Sequence, residues 1–254
     1  MDWYIGRLVN IAHRGASAAA PPNTLAAFEK AVELGADGIE FDVHLSADGV
    51  LVVIHDFNVD DTTDGSGRVA EMTLAQLKQL DAGSRFDPAF AGERIPTLEE
   101  VLETVGSRLL LNIELKCFSL RDNGLERAVI TQVRQHNLDN RVLLSSFNPL
   151  SLRRAKKIAP HIPVGLLYAP WLPLPLRRAW LAPLVHHEAR HPEHTLVDAH
   201  YMAWARRRGY RVNTWTVNDP NEMHRLIGLG VDGIITPVPD VLHSVLKTTP
   251  EHAA

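Results

Sequence analysis

Two carboxylates and a histidine occupy alternate positions in a strand-like run near the start of the chain. The run GIEFDVHLSADGVLVVIHD, from Gly38 to Asp56, places Glu40, Asp42 and His44 at every second residue. Because strand side chains alternate between faces, these three side chains share one face. Neighbouring acids and imidazoles can hold a cation or transfer protons, so the run predicts a chemical site.

The same run predicts an antiparallel hairpin, because the turn Ser46-Ala47-Asp48-Gly49 is too short to join parallel strands. We expect Leu45 to lie opposite Val50. In that register His55 lies opposite Glu40, and the other face is wholly apolar. A hairpin with one merely solvated face is the commoner case, and this alternative stays open. The restriction of the polar residues to acids and histidines favours a site.

Four further strand-like runs carry candidate site residues near their ends. The C-terminal ends of the strands are where barrels of alternating strands and helices place functional side chains. The residues gathered in this way are His13 and Arg14 from the first run, Glu114 and Lys116 from LLLNIELK, Phe147 from VLLSSFNP, and Trp215 from RVNTWTVND.

Glu40, Asp42 and Glu114 indicate a metal site, because three converging carboxylates are costly to bury without a cation. All three are oxygen donors and no thiolate accompanies them, which favours Mg²⁺ or Ca²⁺. Zinc would more naturally bring several histidines. His13 and His55 then remain as acid–base candidates.

Arg14 and Lys116 are suited to a substrate anion such as phosphate. Each of these residues also has a purely structural interpretation. Lys116 can pair with Glu114 on one strand face, Arg14 can form a salt bridge at the top of a helix, and a lone strand histidine is usually a satisfied core or surface residue. The occurrence of all of them at strand ends makes the structural interpretation of the set less favoured.

Eight strand-like runs alternate with helical segments, which favours a parallel sheet covered by helices. Helix signals include Asn23 or Thr24 as N-cap before an apolar repeat, and the capping box formed by Thr97 with Glu100. The strand runs are Leu8–His13, Gly38–Leu45, Leu109–Lys116, Arg141–Phe147, Pro163–Tyr168, Leu184–His187, Arg211–Val217 and Gly233–Thr236, with Val50–His55 as an additional hairpin partner.

Eight such units in 254 residues favour an α/β fold of the (β/α)8 TIM barrel type. No GxGxxG or P-loop follows the first strand, which weakens a nucleotide-binding alternative. We expect one barrel domain over residues 1–254, with residues 57–96 as a small cap-like insertion after the hairpin of the second strand.

Composition limits the partners and the location. The net charge of −4 gives no electrostatic basis for binding nucleic acid. Cys117 is the one cysteine and no secretory signal is evident, so we expect a cytoplasmic location and no intrachain disulfide. The most apolar segment, Gly165–Leu184, is interrupted by four prolines and two arginines and predicts no transmembrane span, although transient contact with a membrane surface stays open. The sequence leaves the oligomeric state open.

Five motifs together resemble the glycerophosphodiester phosphodiesterase family. They are HRG at His13–Gly15, NTLAAF at Asn23–Phe28, GADGIEFDVHLSADGVLVVIHD, NIELK at Asn112–Lys116 and WTVNDP at Trp215–Pro220. The resemblance implies a TIM barrel that hydrolyses glycerophosphodiesters to glycerol 3-phosphate and an alcohol, in lipid and glycerol metabolism. It also implies a divalent cation on the three carboxylates, an acid–base pair of His13 and His55, and phosphate contacts from Arg14 and Lys116. Trp215 and Phe147 would bound the glycerol pocket.

The expected chemistry has two steps. A free glycerol hydroxyl attacks the neighbouring phosphate, and water then opens the cyclic phosphate, with two histidines exchanging protons. The residues alone leave open direct attack by water and which histidine is the acid. Head-group preference and the choice between Mg²⁺ and Ca²⁺ are also open.

Three departures from the family pattern bear on substrate fit. Pro22 replaces the acid of PENT, Asp61 stands where an Arg commonly precedes TT, and Pro237 stands where an Asp often follows IIT. The main alternative keeps the fold and takes a lysophospholipid, with Trp171 and Trp180 presenting an apolar surface to the acyl chain. A non-catalytic phosphodiester-binding barrel is less favoured because no ligand or histidine is missing. A zinc hydrolase would require HxH where this chain has Ile11-Ala12-His13.

Overall fold

A closed barrel of eight parallel strands forms the centre of the protein. The computed structural model describes residues 3–4, 6–117, 121–177 and 185–249. Neighbouring strands pair, and the first strand, Val9–His13, pairs with both Gly38–Leu45 and Gly233–Thr236, which closes the barrel. The predicted TIM barrel is confirmed. The barrel strands are β1 (Val9–His13), β2 (Gly38–Leu45), β4 (Leu110–Leu115), β5 (Val142–Ser146), β6 (Val164–Tyr168), β7 (Ala189–Pro192), β8 (Arg211–Thr214) and β9 (Gly233–Thr236); β3 (Leu51–Val53) pairs antiparallel with β2.

Helices follow the strands and bury their apolar faces against the outside of the barrel. Thr24, rather than Asn23, caps the first helix, Leu25–Glu33, since the hydroxyl of Thr24 accepts a hydrogen bond from Ala27 N. The capping box of Thr97 and Glu100 begins α3 as predicted. The helices are α1 (Leu25–Glu33), α2 (Leu74–Leu77), α3 (Leu98–Val105), α4 (Leu125–Gln135), α5 (Pro149–Ile158), α6 (Leu174–Arg177), α7 (Ala199–Arg207), α8 (Pro220–Leu229) and α9 (Pro239–Thr248).

The predicted hairpin exists, but its predicted register is wrong by one residue. Leu45 pairs with Leu51, not with Val50. Val50 belongs to the loop, where its N–H donates to the hydroxyl of Ser46 and its carbonyl accepts from Ser46 N. Strand β3 is therefore apolar on both faces. Leu51 and Val53 join the outer core of the barrel, whereas the residue between them faces the insertion.

The seventh strand is also corrected, from Leu184–His187 to Ala189–Pro192. Residues 185–187 are irregular, and Leu184 lies outside the described residues. The actual strand contains Arg190 and His191, so it lacks an apolar pattern. The guanidinium of Arg190 lies 4.8 Å from the ring centroid of Tyr210 and 5.3 Å from that of Trp204, and such cation–π contacts let a cation be buried.

His191 points into the barrel, next to Asn213 of β8. His191 Nε2 and Asn213 Nδ2 lie 3.0 Å apart, and Asn213 Nδ2 also donates to the hydroxyl of Tyr4 at 3.1 Å. Gly165 of β6 makes room for the imidazole, because a Cβ there would overlap His191. A separate apolar cluster is formed by buried residues from several barrel strands and by Trp3; its other members are Val9, Ile11, Leu110, Leu143, Ala189 and Ile235.

The segment between β3 and α3 builds a small core of its own against the hairpin. It contains α2 and two 3₁₀ turns, at Val69–Glu71 and Pro88–Phe90. Val52 and Ile54 pack there with Val59, Val69, Leu77, Ala82 and Ile95. The division into one domain over 1–254 with a cap over 57–96 stays a prediction. Within the described part of the chain, no helix is long and apolar enough to cross a membrane.

Candidate active site

Three carboxylates meet inside the C-terminal end of the barrel. Glu40 and Asp42 project from β2, and Glu114 projects from β4 in register with Asp42. One oxygen of each residue lies within 4.8 Å of the other two, and all three side chains are buried. The alternation of strand side chains thus places the acids on the interior face of the barrel, as the sequence predicts.

The crowding of these acids changes their protonation. Burial, together with the charges of Asp42 and Glu114, raises the pKa of Glu40 well above its usual range. Burial also raises the pKa of Glu114 to about 7, against the opposing charge of Lys116. Burial disfavours the ionised form of Asp42 as well, but the positive charges of Lys116 and Arg14 outweigh the effect of burial and lower the pKa of Asp42. The cluster therefore retains protons that a divalent cation would replace.

Two cations approach the same acids. Lys116 Nζ lies 3.2 Å from Glu114 Oε1 and 3.4 Å from Asp42 Oδ1, and Arg14 Nε lies 3.6 Å from Asp42 Oδ2. The pairing of Lys116 with Glu114 that the sequence left open is present. Arg14 does not form the helix-top salt bridge considered for it, because it reaches the buried Asp42 of strand β2 instead.

The loop after β1 shapes this side of the site. Arg14 and Asn23 both have left-handed backbone, with φ of 56° and 60°. The N–H of Arg14 donates to the backbone carbonyl of Glu40 at 2.8 Å and to Glu40 Oε2 at 3.3 Å. Asn23 Nδ2 donates to Asp42 Oδ2 at 3.0 Å. Sequence reasoning missed this role of Asn23, because its position before a helix indicates a cap equally well.

The two histidines lie on different elements and are next to different carboxylates. His13 ends β1 in register with Glu40, and its Nε2 lies 3.8 Å from Glu40 Oε2. His55 follows β3, and its Nδ1 lies 2.7 Å from Asp56 Oδ1. Burial is the main cause that lowers the pKa of His13 to about 3, and the positive charge of Arg14 is the second. Burial also lowers the pKa of His55. The sequence reasoning missed Asp56, although its adjacency to His55 was the available signal.

One cavity of about 400 Å³ brings these groups together at the mouth of the barrel. Of the nine predicted site residues, eight line it, and Asp42 lies beneath it in the carboxylate cluster. The eight are His13, Arg14, Glu40, His55, Glu114, Lys116, Phe147 and Trp215. Phe57, Trp171 and Leu172 also line the cavity. Of these three, the sequence indicated Trp171 alone, as a contact for the acyl chain of a lipid substrate.

The aromatic residues form a row along one wall. The ring centroid of Trp215 lies 5.6 Å from that of Phe147 and 5.9 Å from that of Trp171, and both pairs are nearly perpendicular. Trp215 is anchored because its Nε1 donates to the carbonyl of His191 at 2.8 Å. Trp180 lies outside the described residues, so its predicted contribution to an apolar surface stays a prediction.

The donor set fits a hard divalent cation. Asp42 Oδ1 is buried without a hydrogen-bond partner, although Lys116 is nearby. Together with one oxygen each from Glu40 and Glu114 it offers three negatively charged donors, which is the ligand chemistry of Mg²⁺ and Ca²⁺. Of the three departures, Pro22 lies in a small crevice with Arg14 and His55. Asp61 is solvent-exposed.

Comparison with known proteins identifies the family. The profile of the glycerophosphoryl diester phosphodiesterase family matches residues 13–241. A glycerophosphodiester phosphodiesterase of Caldanaerobacter subterraneus subsp. tengcongensis is 45% identical over 238 residues, covering 93% of this chain and 97% of that protein. A glycerophosphodiester phosphodiesterase of Bacillus subtilis is 34% identical over 256 residues, covering 95% of this chain and 87% of the relative.

Solved structures of phosphodiesterases also resemble this chain over most of its length. An Oleispira antarctica phosphodiesterase in complex with the product sn-glycerol-3-phosphate superposes with a TM-score of 0.83 at 34% identity, covering 94% of this chain and 96% of the other. A glycerophosphodiester phosphodiesterase of Agrobacterium tumefaciens gives a TM-score of 0.80 at 30% identity, with coverages of 92% and 98%. The chain belongs to the glycerophosphoryl diester phosphodiesterase family, a family of phosphoric diester hydrolases.

Proposed function

We propose that this protein is a glycerophosphodiester phosphodiesterase that requires Mg²⁺ or Ca²⁺ and uses His13 and His55 as its acid–base pair. The observation that carries the proposal is the convergence of three carboxylates, two cations and two histidines on one cavity. The names of the relatives and the product complex of the Oleispira antarctica enzyme support the substrate class.

Glu40, Asp42 and Glu114 would hold the cation. A bound divalent cation supplies a Lewis acid that stabilises charge on the non-bridging phosphate oxygens. Arg14 and Lys116, which both lie beside the carboxylate cluster, would bind the phosphate. Their positive charges would reduce the repulsion between the phosphate and the attacking oxygen. Trp215 and Phe147 would bound the glycerol, whose carbon atoms can pack on the aromatic rings.

The chemistry would proceed in two displacements. In the first, the glycerol hydroxyl beside the phosphate attacks phosphorus and the P–O bond to the alcohol breaks. One histidine accepts the proton of the attacking hydroxyl, and the other protonates the leaving oxygen. In the second, water opens the cyclic phosphate and the two histidines exchange roles. Asp56 would orient His55 and fix which of its ring nitrogens carries hydrogen.

A substrate panel with product identification tests this proposal. We expect chelator-treated protein to hydrolyse glycerophosphocholine, glycerophosphoethanolamine and glycerophosphoglycerol only after Mg²⁺ or Ca²⁺ is restored, with glycerol 3-phosphate as the shared product. Quenched reactions should contain the cyclic phosphate transiently. Full activity after exhaustive chelation would contradict the cation requirement, and no hydrolysis of any of the three would contradict the substrate class.

Calorimetric titration of the cation tests the carboxylate cluster separately from activity. Glu114→Gln removes one of three charged ligands, so we expect it to weaken cation binding. The loss should be ~10-fold or more, because substitution of a residue that only supports a metal ligand already lowers metal affinity by about that factor. Glu103→Gln, at an exposed position of α3, is the matched control and should bind like the wild type. Equal affinities of both variants would exclude Glu114 as a ligand.

A further inference from the structure

His44 is the member of the alternating run on β2 that the proposed mechanism does not use. Glu40 and Asp42 belong to the carboxylate cluster, whereas His44 lies outside that cluster and does not line the catalytic cavity. The residue is nevertheless buried, with 5% of its surface exposed. Because a buried polar group is costly without a hydrogen bond, the partner of this imidazole bears on its role.

The partner is the backbone of His55. His44 Nε2 lies 3.2 Å from the carbonyl oxygen of His55. A carbonyl oxygen only accepts, so His44 Nε2 carries the hydrogen and donates it. This hydrogen bond crosses the hairpin, from β2 to the segment that follows β3.

A ring contact involves the same segment two residues further on. The ring centroids of His44 and Phe57 lie 4.9 Å apart, and the two ring planes meet at 85°. Aromatic rings attract each other in this edge-to-face arrangement. His44 thus contacts the chain on both sides of Asp56, whose carboxylate lies against His55 Nδ1.

Backbone hydrogen bonds hold this segment only at its two ends. The pairing with β2 stops at Ile54, whose N–H donates to Asp42 O at 3.0 Å. Among the described residues, the next backbone–backbone hydrogen bond of the segment runs from Val69 N to Phe57 O, at 2.9 Å. The side chain of His44 contacts the backbone between these two points.

We propose that His44 is a positioning residue for His55. Its hydrogen bond fixes the peptide group of His55, and with it the direction in which the imidazole of His55 leaves the backbone. This inference rests on the proposed function, because it requires that His55 transfer a proton. Misplacement of a catalytic group slows the chemical step and leaves substrate binding largely intact. The loss of His44 should therefore change kcat rather than KM.

Two substitutions separate the hydrogen bond from the ring contact. His44→Gln retains an N–H donor of similar reach, whereas His44→Phe retains a ring but loses the donor. We expect His44→Phe to lower kcat for glycerophosphocholine by ~10-fold or more at nearly unchanged KM, since a misplacement of about 1 Å can cost ~10²-fold. His44→Gln should keep most of the wild-type kcat. If His44→Phe does not fold, His44→Asn, whose amide is too short to reach the carbonyl, replaces it with the same expected loss.

A double-substitution cycle shows whether the effect passes through His55. In the His55→Ala background no imidazole remains to be positioned, so His44→Phe should lower kcat no further. A further loss of the same size in that background would overturn the inference.

His187→Phe is the matched control. His187 is also 5% exposed, and its Nδ1 lies 2.7 Å from the carbonyl oxygen of Val185, outside the catalytic cavity. This variant should keep the wild-type kcat.

Calorimetric titration with Mg²⁺ adds a measurement that does not depend on turnover. His44→Phe should bind the cation like the wild type, because all three carboxylates remain in place. Weakened binding would mean that His44 supports the carboxylate cluster, and would overturn the inference.

The inference and the proposed function fail in different ways. If His55→Ala lowers kcat but a folded His44→Phe variant does not, His44 is structural and the proton-transfer role of His55 stands. Equal losses in His44→Gln and His44→Phe would exclude the hydrogen bond as the cause. If His55→Ala itself keeps the wild-type turnover, the role of His55 and its positioning by His44 are both refuted.

Discussion

His13 and His55 face one cavity but have different partners. His13 Nε2 lies 3.8 Å from the Glu40 carboxylate, whereas His55 Nδ1 lies 2.7 Å from Asp56. The contact with Asp56 favours hydrogen on Nδ1 of His55 and leaves its Nε2 as the basic nitrogen. Because the pKa of each histidine is lowered, both imidazoles are neutral near pH 7, so either can act as the base, and the other must take up a proton before it can protonate the leaving oxygen.

Alanine at either histidine should therefore remove proton transfer. We expect His13→Ala and His55→Ala each to lower kcat by ~10²–10⁴, the usual contribution of a general acid or base. The double variant should lose little more than the worse single variant, because residues that act in one step are not additive. Steady-state kinetics and melting temperatures of the three variants provide the measurement.

His200→Ala, at an exposed position of α7, serves as the control and should change neither quantity. A folded His55→Ala variant with near wild-type turnover would show that His55 is structural. The polar residues of β2 would then serve only the cation.

The connection between β1 and α1 positions Arg14. Gly15 lies in it with φ of 81°, and a Cβ there would come within 2.6 Å of the backbone carbon of Ala27 in α1. The N–H of Ala16 also donates to the carbonyl of Ala27 at 2.9 Å. The helix thus approaches the loop closely, and this contact holds Arg14 beside Asp42.

Gly15→Ala should destabilise the fold through both backbone strain and this contact. Left-handed backbone costs a non-glycine residue roughly 1–2 kcal/mol, and overpacking adds about 1–3 kcal/mol. Gly49→Ala is a matched control, because Gly49 has φ of 79° but open space at the Cβ position. Urea unfolding of both variants measures the difference. Equal losses would mean that α1 tolerates the added methyl group.

Local patterns predicted the barrel and its buried carboxylate cluster, because the alternation of strand side chains and the capping of helices are short-range signals. Glu40, Asp42 and the capping box of Thr97 are examples. The hairpin register was not predictable in this way. Asp48 of the turn accepts from Leu74 N at 3.0 Å, so a contact with α2 helps to set the loop. Strand β7 was missed for a similar reason, since rings from other elements make the burial of Arg190 possible.

At the scale of the whole molecule, the barrel encloses a histidine that water does not reach. His191 is fully buried, and burial lowers its pKa to about 3. At pH 5 the unfolded chain, in which histidine titrates near 6.5, binds a proton that the folded protein does not. The stability therefore falls as the pH decreases from about 6.5 towards 3.

Removal of this imidazole should flatten the pH dependence. Between pH 7 and pH 5 we expect the wild type to lose about 2 kcal/mol more free energy of unfolding than His191→Asn does. Urea titrations at the two pH values measure this difference, whatever the effect of the substitution at pH 7. His200→Asn should follow the wild type. Parallel losses in all three proteins would mean that His191 titrates normally in the fold.

Strand β3 has a consequence for self-association. A strand at the end of a sheet usually presents unpaired backbone groups that can template pairing between molecules. Here the side of β3 away from β2 is occupied by the chain itself, since Val52 bridges to Thr97 and Val53 N donates to Pro96 O at 2.8 Å. The segment that leads back into α3 thus covers the free edge of β3, and this cover protects the strongly apolar strand from edge-to-edge aggregation.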